Sequence, residues 1–205
     1  MRKLWVIVLT MLMVFGAAGC GSESGKAEEK ATSSVNTQQA KPAEAKGKIL
    51  VAYFSATGNT KALAETTAKA LGAELYEIRP EQPYTSQDLN YNDETTRATV
   101  EQKDDKARPA LADKNAKIAD YETIVLAYPI WWAQAPRIMD NFVESYDFEG
   151  KKMTAICTSG GSDIGSSADY LKELTKGKAD WKPGKLFSPQ ASAEEIKGWF
   201  SSLGF

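Results

Sequence analysis

The sequence predicts an α/β fold, a parallel sheet with helices on both sides. Three observations carry that reading. Short apolar runs rich in Val, Ile, Leu and aromatic residues recur along residues 48–205. Stretches with helical spacing of apolar residues lie between them. The two kinds of segment alternate, which is the pattern of strand–helix–strand units and hence of a parallel sheet.

Residues 49–54, Ile-Leu-Val-Ala-Tyr-Phe, are the first strand. Residues 60–71 follow as a helix that stops near Gly72. Residues 73–78 are a second strand, ended by Pro80, and residues 124–128 a third. In residues 136–146, Ile138, Phe142 and Tyr146 are spaced for one helical face. Residues 152–157 are a fourth strand, 166–174 a helix and 185–187 a short fifth strand. Residues 193–203 close the chain as a helix with Ile196, Trp199 and Phe200 on one face. Glu194 and Glu195 suit the positive end of its dipole. Between Pro80 and Tyr121 the pattern lapses into polar, charged sequence with Pro83 and Pro109. A helix is expected over about 87–103, then irregular chain through Asp120. This insert, residues 81–120, stands where the second crossover helix belongs, and long loops in compact domains are often functional.

Ahead of the domain, Arg2 and Lys3 precede an apolar run over residues 4–15 and then Gly16-Ala17-Ala18-Gly19-Cys20. That is the layout of a secretory signal, and the run is too short for a comfortable membrane span. Cys20 directly after Ala-Gly resembles the lipobox of bacterial lipoproteins. The resemblance implies a signal peptide over residues 1–19, cleavage before Cys20 and a lipid on its sulfur. Residues 20–47 are too polar to bury a core and read as a lipid-anchored linker. It would span roughly 90 Å extended and roughly 30 Å as a coil. The expected location is outside the cytoplasm, anchored to a bacterial membrane.

Composition excludes several chemistries. Residues 48–205 carry 19 Lys and Arg against 23 Asp and Glu, a net of −4, with no basic patch to suit nucleic acid. Cys157 is the domain's one cysteine, so it has no internal disulfide. With no basic neighbour in sequence it reads as a buried thiol rather than a redox one. The chain has no histidine, which removes Ser-His-Asp and Cys-His catalysis and histidine-bound metals. Chemistry must come from a cofactor, or from carboxylates, lysines and tyrosines; no metal site and no catalytic set is expected.

In an open α/β sheet, ligands bind beyond the carboxyl ends of the strands, where strand order reverses. The loop after the first strand is Ser55-Ala56-Thr57-Gly58-Asn59-Thr60, at a helix N-terminus. Backbone N–H groups there lack intrahelical partners and suit an anion. Ser55, Thr57 and Thr60 add hydroxyls, and Gly58 permits positive φ or close approach. The same residues also suit a plain helix cap. The spaced glycines and Lys-Ser of a triphosphate loop are missing, as are the three glycines of a dinucleotide fingerprint. A single phosphate monoester held by neutral donors fits. The loop after the third strand holds Pro129, Ile130, Trp131, Trp132 and Ala133. Its adjacent tryptophans either meet a flat ligand or pack against the insert or the next helix. The loop after the fourth strand holds Thr158, Ser159, Gly160, Gly161 and Ser162, then Gly165, with bare backbone for a planar polar edge. One phosphate and one flat heteroaromatic ring describe flavin mononucleotide, FMN.

These three motifs, in this order, resemble those of flavodoxins, in the subgroup whose loops read Tyr-Pro-Ile-Trp-Trp and Thr-Ser-Gly-Gly. The resemblance covers residues 48–205. It implies a three-layer α/β/α sandwich with a five-stranded parallel sheet in the order 2-1-3-4-5. It implies FMN, with Ser55 to Thr60 on the phosphate. Residues 129–133 would flank the ring on one side, with Trp131 or Trp132 against it, and residues 158–162 on the other, with Gly165 leading into the next helix. It further implies an electron carrier with redox partner proteins, membrane-associated given the leader. The alternative is an FMN-dependent NAD(P)H:quinone or nitro reductase, in which Tyr84, Tyr91 or Tyr128 would stand in for a histidine acid. A third reading is a module that stores flavin. The leader and the insert depart from a typical flavodoxin and bear on the partners.

Overall fold

A computed structural model describes residues 47–205. The signal peptide, Cys20 and the linker up to residue 46 lie outside the described residues. In chain order the elements are β1 (Ile49–Tyr53), α1 (Asn59–Leu71), β2 (Glu74–Glu77), α2 (Arg97–Lys103), β3 (Thr123–Pro129), α3 (Arg137–Glu144), β4 (Lys152–Thr158), α4 (Ser167–Leu174), β5 (Asp180–Trp181), β6 (Lys185–Leu186) and α5 (Ala193–Ser202).

All strand pairs are parallel, in the order β2-β1-β3-β4-β5, with β6 also on β4. The expected 2-1-3-4-5 sheet is therefore present. Its central strands are apolar on both faces because helices cover both. Leu50, Ala52, Phe54, Ile124, Leu126, Tyr128 and Cys157 point to a core shared with the insert, α3 and α4. Val51, Tyr53, Val125, Ala127 and Ile156 point to a second core under α1 and α5.

The fifth position differs from the expected single strand over 185–187. It is two short pieces, β5 and β6, both on β4. Pro183 lies between them and has no N–H for the ladder. Lys182 N–H still reaches Met153 O at 2.8 Å, and Thr154 Oγ1 donates to Pro183 O at 2.7 Å. Gly184 passes so close to α4 that a Cβ there would lie 3.1 Å from Ala168 Cβ and 2.8 Å from Ile164 Cδ1, in the loop before it.

The insert also corrects an expectation. Only residues 97–103 of the expected 87–103 helix are α-helical. Upstream, side chains compete for the backbone: Asp88 Oδ2 accepts from Thr85 N–H at 2.8 Å and Asp93 Oδ1 from Thr95 N–H at 2.9 Å. The insert is closed at its neck by antiparallel bonds, Glu81 N–H to Ala110 O and Ala112 N–H to Arg79 O, each 2.8 Å. Helix α2 then turns Ala98, Thr99 and Gln102 inward. Among the described residues no helix is long and apolar enough to cross a membrane.

Candidate functional site

The loop after β1 folds as a tight helix entry. Gly58 sits at φ 91°, a conformation that glycine adopts without strain, and caps α1. Ser55 Oγ accepts the Gly58 N–H at 3.1 Å. The first intrahelical bond of α1 is Ala62 N–H to Gly58 O at 3.1 Å, so the N–H groups of Asn59, Thr60 and Lys61 precede the ladder. Thr60 is buried, and its hydroxyl lies 2.8 Å from that of Thr158 at the end of β4.

The loop after β3 is a two-residue hairpin. Trp131 N–H donates to Gln134 O at 2.9 Å and Gln134 N–H returns to Trp131 O at 3.0 Å. Trp132 and Ala133 between them both have positive φ, 48° and 59°. Neither is glycine, so each carries left-handed strain of roughly 1–2 kcal/mol. Ile130 N–H donates to Thr158 O at 2.8 Å, and Gln134 Nε2 to Ser166 Oγ at 3.2 Å. In the third loop Gly161 N–H bonds Ser159 Oγ at 3.1 Å and Gly165 N–H bonds Asp163 Oδ1 at 2.9 Å. A Cβ on Gly165, at φ 51°, would stand 3.2 Å from Ala133 O.

The three loops enclose one cavity of about 560 Å³ at the carboxyl edge of the sheet. Ser55, Ala56, Thr57, Asn59 and Thr60 line one end; Pro129, Ile130, Trp131 and Trp132 line a wall; Thr158, Ser159, Gly160, Gly161 and Ser162 line another. No charged side chain lines it among the described residues. Its volume is that of a small-molecule or cofactor site. Gly58, Ala133 and Gly165 do not line it; they shape the turns that do. Tyr91 and Pro189 also line it, and neither was among the expected cofactor-binding residues. Pro189 follows β6, so the carboxyl-edge rule applied to the fifth strand position finds it. Tyr91 comes from the irregular part of the insert, where no periodicity marks it.

The adjacent tryptophans divide. Trp131 is 5% exposed, edge-on to Phe54 at 5.6 Å, to Tyr84 at 5.3 Å and to Tyr91 at 6.1 Å. It packs against the insert. Trp132 is 43% exposed and meets Tyr91 edge-on at 5.2 Å. Tyr84 donates to the Glu101 carboxylate, with Arg97 stacked 4.2 Å over its ring. Burial and the Glu101 carboxylate push its pKa well up. Tyr128 is fully buried, with its hydroxyl 3.1 Å from Ser167 Oγ, and burial raises its pKa strongly. Of the three candidate proton donors, only Tyr91 reaches the cavity. Cys157 is buried, which pushes its thiol up to about 12, so it stays protonated at neutral pH.

Residues 48–203 match the family model described as Flavodoxin. The chain belongs to the flavodoxin family. Among solved structures, this flavodoxin is similar to a candidate flavoprotein of Bacteroides eggerthii DSM 20697. The two are 44% identical over 78% of this chain and 99% of that one, with a TM-score of 0.74. A candidate flavoprotein of Bacteroides uniformis ATCC 8492 is 43% identical over 76% of this chain and 98% of that one, at 0.71. A flavoprotein of Lactobacillus acidophilus NCFM, solved in complex with FMN, shares the flavodoxin fold at a TM-score of 0.57. It is 17% identical over 75% of this chain and 99% of that one. No curated protein matches the chain.

Proposed function

We propose that this flavodoxin binds FMN and carries electrons between partner proteins, tethered outside the cytoplasm by a lipid on Cys20. The supporting observation is the uncharged cavity built from three strand-end loops, with a helix N-terminus at one end and a partly exposed tryptophan in one wall. Membership of the family and the FMN complex of the Lactobacillus acidophilus relative support the choice of cofactor.

The residues present fit that group. Backbone N–H groups of Asn59 and Thr60, with the hydroxyls of Ser55 and Thr57, would hold the phosphate at the positive end of α1. Trp132 and Tyr91 would cover the ring on one side, and the Ser159–Gly161 backbone would meet its polar edge. When bound, FMN supplies the redox chemistry, one electron or two at a time. The protein's residues set the terms. A cradle with no lysine or arginine leaves the phosphate charge unbalanced, and apolar walls disfavour adding a further negative charge nearby. Both lower the reduction potential.

The full chain loaded with FMN tests this reading. A carrier accepts electrons from a reduced partner and shows no sustained NADPH oxidation when a quinone or nitro compound is supplied. Steady NADPH turnover would establish the reductase instead.

A further inference from the structure

The insert does more than fill the place of a crossover helix. Gln102 of α2 is buried, and its Nε2 donates to Ala135 O at 3.1 Å, one residue beyond the Trp131–Gln134 hairpin. A carbonyl can only accept, so the amide nitrogen must face it. Arg137, two residues further on and also buried, returns the contact by donating from Nη2 to Gln102 O at 3.1 Å and to the Asp105 carboxylate. Tyr91, from the same insert, is edge-on to both tryptophans. The hairpin is thus held by Gln102 just beyond Gln134 and by Tyr91 against both of its tryptophans.

This grip is polar where an apolar one would serve stability as well. Gln102 Oε1, Gln134 Oε1, Arg137 Nε and Asp140 Oδ1 are the buried side-chain atoms that lack a protein partner among the described residues, and all belong to this region. Incompletely satisfied buried polar networks are poor stabilisers, but they can fix one geometry against others. The geometry fixed here is that of a strained hairpin whose Trp132 faces the cavity.

We propose that Gln102 is a positioning residue. By holding Ala135 O it fixes the Trp131–Gln134 hairpin, and through Trp132 it sets how tightly the flavin ring is held and at what potential it is reduced. The proposal rests on the reading that the cavity takes FMN.

Gln102→Met keeps the side-chain volume and removes the donor. Hydrogen exchange of the full chain without FMN is measured first, then FMN affinity and reduction potential. The hairpin amides should exchange about tenfold faster while those of β4 are unchanged, the loss of one buried hydrogen bond. FMN affinity should fall, and a tenfold difference between oxidised and one-electron-reduced forms would move the potential by about 59 mV. Unchanged hairpin exchange overturns the proposal. So does faster exchange with wild-type affinity and potential. Wild-type protein that fails to take up FMN overturns the reading of the cavity, and exchange without FMN distinguishes that failure from loss of the grip. If Gln102→Met does not fold, Asp105→Ala repeats the measurements; Asp105 is 90% exposed, and its loss should loosen Arg137 and shift the same readouts in the same direction.

Discussion

The hydroxyls of Thr60 and Thr158 lie 2.8 Å apart, both buried, and join the first turn of α1 to the end of β4. Residues 98 positions apart in sequence thereby fix the spacing of two loops that line one cavity. Thr158→Val keeps the shape and removes one partner. The Thr60 hydroxyl would be left buried and unpaired, which costs about 1–3 kcal/mol. Thermal unfolding should show that loss, and FMN titration a weaker complex, because the cradle and the third loop are no longer held together.

Ala133 stands at φ 59° between two bonds that close the hairpin. Glycine adopts that conformation without a Cβ penalty, so Ala133→Gly should raise stability by about 1 kcal/mol. The looser turn should also bind FMN more weakly. Chemical denaturation and a flavin titration of one sample measure both; a rise in both quantities would show that the strain serves no purpose.

Asp140 is fully buried. Burial raises its carboxyl to about 6, although Arg137, Arg108 and Tyr170 lie within 3.5 Å and favour the charged form. The folded protein therefore keeps a proton that the unfolded chain loses near pH ~3.9. Stability from this group is full below that pH and is lost as pH rises through about 6. The gap between wild type and Asp140→Asn should narrow by up to about 3 kcal/mol across that window. Glu144, held below the ordinary carboxylate range by its hydrogen bonds from Arg108, gives the opposite slope at lower pH. Urea denaturation at a series of pH values separates the two.

Cys20→Ala should release the protein from the membrane fraction and abolish incorporation of a labelled fatty acid. Retention in that fraction by the variant would remove lipidation from the account.

The parts of this fold that were legible are those where one segment decides. β1 is an unbroken apolar run, and β3 and β4 are mostly apolar with Thr154 interrupting β4, because helices bury both faces; their ends match the expected ones to within one residue. The turn after β1 and the start of α1 were legible because they are contiguous in sequence. Residues 87–96 were not, since Asp88, Asn90 and Asp93 spend their side chains on nearby backbone that a helical pattern would claim. The split between Trp131 and Trp132 was also hidden. It depends on Tyr84 and Tyr91, which arrive from an insert with no periodicity. β5 is two residues long, and its pairing is set by β4 rather than by its own sequence.

The central claim is that a neutral cradle at α1 holds the phosphate of FMN. Equilibrium titration of the flavin-free chain with FMN and with riboflavin, which has the same ring and no phosphate, measures it most directly. Losing several charge-assisted bonds should weaken riboflavin at least about a hundredfold relative to FMN. Equal affinity for the two, or no affinity for either at micromolar concentration, would contradict the account.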